Sequence, residues 1–274
     1  NPAEKIKSEW KSLIEEAKKE QEPKKHSQMK KNPNNMTLLE HLEELRLRII
    51  YVTIVLGILA LITFHFSLRI LQFILEPLLK VLPPASHVIF TGVTEAFWVR
   101  MEVSLYAAVL FGLPYIFYHI WMFVHPGLTK KEKKIVLPFI FFATAFFLIG
   151  CVFAYKVILP FGLKFLINYG GEEVSAMPSI KQYVSFFLRI CFAFGLIFEM
   201  PVVSYILAKA DVINAKWLIK KWDYAILAAF IVAAVLAPPD VLSQFLMAIP
   251  MILLYVVSIG VVYIAQKPKK EEED

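Results

Sequence analysis

The sequence predicts an all-α membrane protein of six transmembrane helices with both termini cytoplasmic. Three observations predict it: 58% hydrophobic residues among 274, apolar blocks longer than a globular helix needs, and charges gathered between the blocks and at the ends. Soluble domains average roughly 45–50% apolar and about 25% charged residues, against 19% charged here. An aqueous enzyme core is excluded on that balance. Cys151 and Cys191 both fall inside apolar blocks, where a thiol packs as a small hydrophobe, so they define no disulfide or metal framework.

A helix needs about 20 mostly apolar residues to cross roughly 30 Å of hydrocarbon. The predicted spans are 49–66, 96–124, 135–159, 183–208, 224–237 and 241–264. The fifth offers about 14 apolar residues, or about 21 Å of helix, so the membrane must thin there or polar flanks must be drawn in. Its alanine-rich composition, Ala225 to Phe230 onward, permits close helix contact.

Orientation follows from the lysines and arginines, which short cytoplasmic loops retain. Eleven lie before the first span, four between spans two and three, four between spans four and five, and three in the C-terminal tail, making 22 of 29 on one side. Only Arg69, Lys80, Lys156, Lys164 and Lys181 fall opposite, and Arg100 and Arg189 lie within spans or at their ends. An even number of spans follows.

Residues 1–35 differ in composition. Ile6, Trp10, Leu13, Ile14 and Ala17 among lysines and glutamates predict a short amphipathic helix and then a polar linker, able to lie on anionic lipid or to stand solvated. Met36-Thr37-Leu38-Leu39 reads like a natural start, so this arm is expected to be fused or foreign; residues 36–266 form the membrane domain and 267–274 a charged cytoplasmic tail.

The residues costliest to bury carry the functional information. Glu199 lies about two-thirds along the fourth span with no opposite charge within a turn, and an acid at the bilayer centre costs roughly 2.5–3.5 kcal/mol. It must be protonated, reach water or meet a partner. Pro201 frees a carbonyl one turn earlier and predicts a kink. Asp240, after Pro238 and Pro239, is placed to cap the sixth span, with Ser243 and Gln244 opening that helix. On the cytoplasmic side Glu43 and Glu44 precede the first span, and Glu132 is enclosed by Lys130, Lys131, Lys133 and Lys134. These acids are ordinary interfacial charges, or they are the carboxylates that a ligand bearing arginines requires, since a guanidinium pairs bidentately.

Catalytic signatures are missing: there is no HExxH, CxxC, P-loop or GxSxG, no pair of intramembrane aspartates, and the six histidines have no metal-ligand spacing. The sequence predicts no enzyme, no metal and no cofactor. A proton-coupled secondary transporter using Glu199 and a membrane scaffold remain as alternatives; the first lacks the inverted repeat and matched broken helices such transporters show.

Five segments in order carry a resemblance across Met36 to about Gln266: His41-Leu42-Glu43-Glu44-Leu45-Arg46; Glu76-Pro77-Leu78; Trp121-Met122-Phe123-Val124-His125-Pro126-Gly127-Leu128 ahead of Glu132; Ala193-Phe194-Gly195 with Phe198-Glu199-Met200-Pro201; and Ala237-Pro238-Pro239-Asp240-Val241-Leu242-Ser243-Gln244. The chain thereby resembles the TatC family of the twin-arginine protein translocase. The resemblance implies a cofactor-free receptor in the bacterial inner membrane, with a concave face, that binds signal peptides carrying two consecutive arginines. It further implies recruitment of the single-span subunits TatA and TatB, self-association, contact with lipid, no nucleic-acid partner, and use of the proton-motive force to pass folded cargo. By similarity, Glu44 and Glu132 would bind the arginine pair with Arg46 and Phe123 shaping the patch. Pro77 would order the outer loop, Glu199 would face an intramembrane groove, and the fifth span with Asp240 and Gln244 would dock partner helices.

Overall fold

The computed structural model describes residues 38–83, 86–124, 133–169, 177–237 and 240–266. The expected arm 1–35, the tail 267–274 and Glu132 lie outside them. Helices account for most of the described chain: α1 (Leu38–His65), α2 (Ser67–Leu79), α3 (Glu95–Val124), α4 (Lys133–Phe153), a π-helical turn (Ala154–Ile158), α5 (Leu159–Tyr169), α6 (Ile180–Phe198), α7 (Met200–Lys209), α8 (Ala215–Lys220), α9 (Trp222–Leu236) and α10 (Val241–Ala265).

Five stretches are long and apolar enough to cross a membrane: Leu39–His65, Glu95–Phe123, Val136–Ile167, Ile180–Lys209 and Val241–Ala265. Helix α9 is apolar but only 15 residues long, which is about 22 Å against roughly 30 Å of hydrocarbon. The described chain therefore supplies five full-length candidate spans and one short one.

Large apolar side chains such as Leu61, Phe111, Leu137, Val235 and Ile264 point outward along these helices. In water that surface would aggregate; against lipid it is matched to its solvent, and helix association must come from close packing instead. Small residues provide it. A Cβ on Gly150 of α4 would stand 2.4 Å from the Phe194 carbonyl of α6, and one on Gly195 would stand 2.6 Å from the Phe147 ring. Helices α4 and α6 thus meet backbone to ring and backbone to backbone. Around that contact Phe147, Phe194, Ala154, Ile158, Val99, Val103, Val184 and Ile190 are fully buried.

Helix α1 is less enclosed. It approaches α3 where the Thr63 hydroxyl donates to the Ser104 carbonyl at 2.8 Å, and where Leu56 covers Gly112.

The link between the first two spans is where sequence and structure differ most. The sequence treats 67–94 as a loop, but 67–79 forms helix α2, which carries one apolar face: Leu71, Ile74, Pro77 and Leu78 are buried. Three side chains from other elements fasten it. Arg100 Nε donates to Ser67 Oγ at 3.0 Å, Tyr183 Oη to the Ile74 carbonyl at 2.8 Å, and Tyr155 Oη to Glu76 Oε2 at 3.2 Å. The π-helical turn carries Tyr155, whose ring stacks on Phe73 at 4.7 Å. Lys80 also donates to Glu76; together with the Tyr155 hydroxyl it holds the Glu76 carboxyl below the ordinary carboxylate range. A lowered carboxyl contributes stability above its unfolded pKa and loses it as pH falls through the folded value, so this fastening weakens in acid.

The same end of the molecule is closed by Glu95, a residue the sequence reading passed over. Its side chain is 5% exposed and accepts five hydrogen bonds. Oε2 takes the Thr91 N–H, the Thr91 hydroxyl at 2.9 Å and the Gly92 N–H at 3.0 Å; Oε1 takes the Ser179 hydroxyl at 2.7 Å and the Lys181 N–H at 3.1 Å. One carboxylate therefore joins the turn opening α3 to the turn opening α6. Beside it, Ile89 and Ser179 form an isolated parallel bridge, with Ile89 N–H donating to Pro178 and Ile180 N–H donating to the Ile89 carbonyl at 3.0 Å.

Replacing Glu95 with Ala leaves buried donors on both turns without an acceptor. We expect the melting temperature in detergent to fall by about 4 °C or more, read by intrinsic fluorescence. An unchanged melting temperature would mean that other contacts hold the two turns.

Candidate functional site

Glu199 sits at a break in the fourth long span rather than within a continuous helix. Helix α6 begins with Ser179 as its N-cap and ends at Phe198; α7 begins at Met200 with Pro201 in its first turn. Pro201 has no N–H to offer the carbonyl four residues back, which is why the ladder stops here. The Glu199 N–H turns to the Leu196 carbonyl at 3.1 Å, and its own carbonyl receives Val203 N–H at 2.9 Å. The kink expected from Pro201 is present as this break.

The break fixes where the acid goes. Gly195, one turn earlier, lies under the Phe147 ring, and the Glu199 side chain lies beside the Phe147 main chain. It is 7% exposed, and its Oε1 has no hydrogen-bond partner. Among the described residues no lysine or arginine is within ion-pair distance of it. A buried carboxyl oxygen without a partner is costly. The site is thus an acid packed against the Phe147 main chain, with one carboxyl oxygen unpartnered.

A second polar group on the same helix escaped the sequence reading. Ser185 Oγ donates to Glu102 Oε2 on α3 at 3.0 Å. Glu102 stands seven residues into α3, about 10 Å along the helix, and is half-buried. Ser185, Arg189, Phe192, Leu196 and Glu199 recur at spacings of three and four, so they share one face of the fourth span. Glu102 was findable as an intramembrane acid; its partner Ser185, 83 residues away, was not.

Asp240 and Gln244 are brought together at the start of α10. Asp240 Oδ1 accepts the Ser243 N–H at 2.6 Å, the expected N-cap. Its Oδ2 and the buried Ser243 hydroxyl have no partner. Gln244 Nε2 donates to the Phe230 carbonyl of α9 at 3.1 Å, and the Phe230 and Phe245 rings meet edge to face at 5.0 Å. Gln244 therefore ties α9 to α10. No hydrogen bond or ion pair connects Asp240 or Gln244 to Glu199 among the described residues.

The remaining expected residues lie elsewhere. Among the described residues of the first unit, which ends at Glu44, His41 Nδ1 and Glu44 Oε2 are 4.0 Å apart on one helical face. In the other unit Arg46 is exposed and Phe123 half-buried, and Trp121 packs on Phe139 at 4.3 Å. Pro77 is buried in α2. Cys151 and Cys191 are free thiols, with the Cys151 thiol donating to the Cys191 carbonyl at 3.4 Å.

Taken together, several helices long and apolar enough to cross a membrane, with large apolar side chains exposed along them, and a broken span bearing a buried acid define a multi-pass membrane protein. Comparison with known proteins narrows this. The family model "Sec-independent protein translocase protein (TatC)" matches residues 40–250. "Sec-independent protein translocase protein TatC" of Campylobacter jejuni is 42% identical over 240 residues, covering 86% of this chain and 98% of that one. The protein of the same description from Desulforapulum autotrophicum is 37% identical over 247 residues, covering 90% and 92%. Among solved structures, "Crystal Structure of Twin Arginine Translocase Receptor- TatC" superposes with a TM-score of 0.74 at 38% identity, covering 82% of this chain and 99% of that one. The chain belongs to the TatC family: it is a subunit of the Sec-independent protein translocase, and not an enzyme.

The packing that positions Glu199 is testable apart from its function. Gly150→Val forces the Phe194 backbone away, and overpacking of this kind costs about 1–3 kcal/mol. Thermal unfolding in detergent should register that loss, while Gly162→Val, where a Cβ meets nothing within 4 Å, should cost much less.

Proposed function

We propose that this chain is the receptor of the twin-arginine export system in a bacterial inner membrane, with six spans and both termini cytoplasmic. Signal peptides carrying two arginines dock at acids on the cytoplasmic face, Glu44 and Glu132, with Arg46 and Phe123 shaping the patch. The apolar part of the signal peptide then lies along an intramembrane groove that Glu199 faces. TatA and TatB bring single membrane-spanning helices to the fifth and sixth spans, where α9 with Asp240 and Gln244 receives them.

The observation that carries this reading is the state of Glu199: a buried carboxyl at a helix break, with one oxygen unpartnered and no cation of its own chain in reach among the described residues. An ionisable side chain buried in a membrane span without an ion-pair partner is a functional site by default. The short α9 supports the docking role, because a span of about 22 Å draws polar groups and partner helices to its ends. The solved relative described as a twin-arginine translocase receptor supports the choice of ligand. The transmembrane proton gradient supplies the energy, in keeping with a sequence that has no phosphate-binding loop.

Charge-assisted bidentate pairing distinguishes arginine from lysine. Glu44→Gln should weaken binding of a two-arginine signal peptide by about 10- to 100-fold and affect its two-lysine version far less, measured in detergent by fluorescence anisotropy. Equal losses for both peptides would reject specific recognition. Glu199→Ala should leave arginine-peptide binding intact while lowering site-specific crosslinking to partner helices by about three- to tenfold; an unaltered crosslink pattern would reject that role.

A further inference from the structure

The chain between α7 and α9 has features that neither a packed loop nor a solvated one explains. Its short helix α8 is capped by Asn214, whose side chain accepts the Trp217 N–H at 2.7 Å. One face is docked: Ala215 and Leu218 are buried with Ala208, Val262 and Ala265, and the Leu218 carbonyl accepts from Tyr255 Oη at 2.8 Å. The other face presents Trp217 and Ile219, followed by Trp222 and Tyr224, all roughly half exposed or more. Apolar rings on a solvated loop would be a liability; at the level of lipid headgroups they are anchors.

The charges interleaved with these rings set the chemistry of the partner. Lys216 and Lys220 are both exposed and stand one helical turn apart, a like-charge spacing that disfavours an isolated helix. Lys221 adjoins them, with its Nζ 4.7 Å from the Tyr224 ring centre, and Lys209 lies over Tyr205 at 5.7 Å. Two acids share the segment. Asp223 lies in the first turn of α9, where the helix dipole offsets its charge, and Asp211 occupies the left-handed turn after α7 with φ of 57°. Neither forms an ion pair with the four lysines within 4 Å among the described residues.

We propose that the α8 segment, with Lys216, Lys220 and Lys221 set around Trp217 and Trp222, is a binding site for the phosphate of an anionic phospholipid. The phosphate relieves the repulsion between Lys216 and Lys220, while the indole rings hold the glycerol and upper acyl region. The site pins one end of the short α9 to the membrane surface. It is independent of the signal-peptide reading and of which leaflet α8 faces.

The full chain, reconstituted in phosphatidylcholine nanodiscs, tests the site with brominated-acyl lipid at equal mole fraction, either phosphatidylglycerol or phosphatidylcholine. Brominated phosphatidylglycerol should quench tryptophan fluorescence more strongly, reflecting local enrichment on the order of tenfold, and Trp217→Phe with Trp222→Phe should remove that excess. The triple variant K216Q/K220Q/K221Q should abolish the preference and leave quenching by brominated phosphatidylcholine unchanged, whereas K216R/K220R/K221R should keep it. High salt should abolish the preference in the unaltered chain, which serves as the test if the glutamine variant does not fold. Equal quenching by the two lipids in the unaltered chain would overturn the proposal, as would a preference that persists through both the glutamine substitutions and high salt.

Discussion

Hydrocarbon offers no hydrogen bonds, so every backbone or side-chain polar group within the membrane must find its partner in the protein or go without. The fold is organised by that constraint. Regular helix satisfies most groups automatically, and the few interruptions are where other side chains are recruited. At α2 the Tyr183 hydroxyl reaches the Ile74 carbonyl close to Pro77; after α4 the ladder is rethreaded as a π-helical turn, which brings Tyr155 onto Phe73 and Glu76. At Glu199 the repair is partial, because the side chain lies against the Phe147 main chain while its Oε1 has no hydrogen-bond partner. Asp240 Oδ2 and the Ser243 hydroxyl, where α10 opens after the turn from α9, are likewise left without a partner.

The two ends of the helices are built on opposite principles. At the end where α3 and α6 begin, a single carboxylate takes donors from both turns and short backbone bonds join Ile89 to Pro178 and Ile180. No cation is needed, because five donors supply the stabilisation that a counter-ion would otherwise provide. On and around α8, the described lysines form no ion pair within 4 Å and are interleaved with exposed tryptophan and tyrosine. One end is closed on itself; the other is turned toward its surroundings.

This contrast explains what was legible in the sequence. Most span limits came out within a few residues because they depend on local composition, as with 96–124 against Glu95–Val124 and 241–264 against Val241–Ala265, but the third, set at 135–159, runs on to Ile167. The first span was set too short at 49–66, since the polar stretch His41 to Arg48 is helical as well and continuous with it. Asp240 was legible because capping is a three-residue relation. Glu95, Glu102 and Tyr155 acquire their roles from Ser179, Ser185 and Glu76, each about 80 residues distant, and no local pattern announces such partners. The π-helical turn was hidden for a related reason: Ala154 to Ile158 reads as ordinary apolar helix, and only the packing against α6 shows the extra residue.

Close packing and an open acid depend on one another here. Gly150 and Gly195 let α4 and α6 approach until the Phe147 ring covers Gly195, and that approach carries the next turn, with Glu199, against the α4 main chain. Larger side chains at either glycine would hold the helices apart, and the carboxyl would gain freedom to turn toward lipid headgroups or water. The glycines thus fix the position of the acid through packing alone.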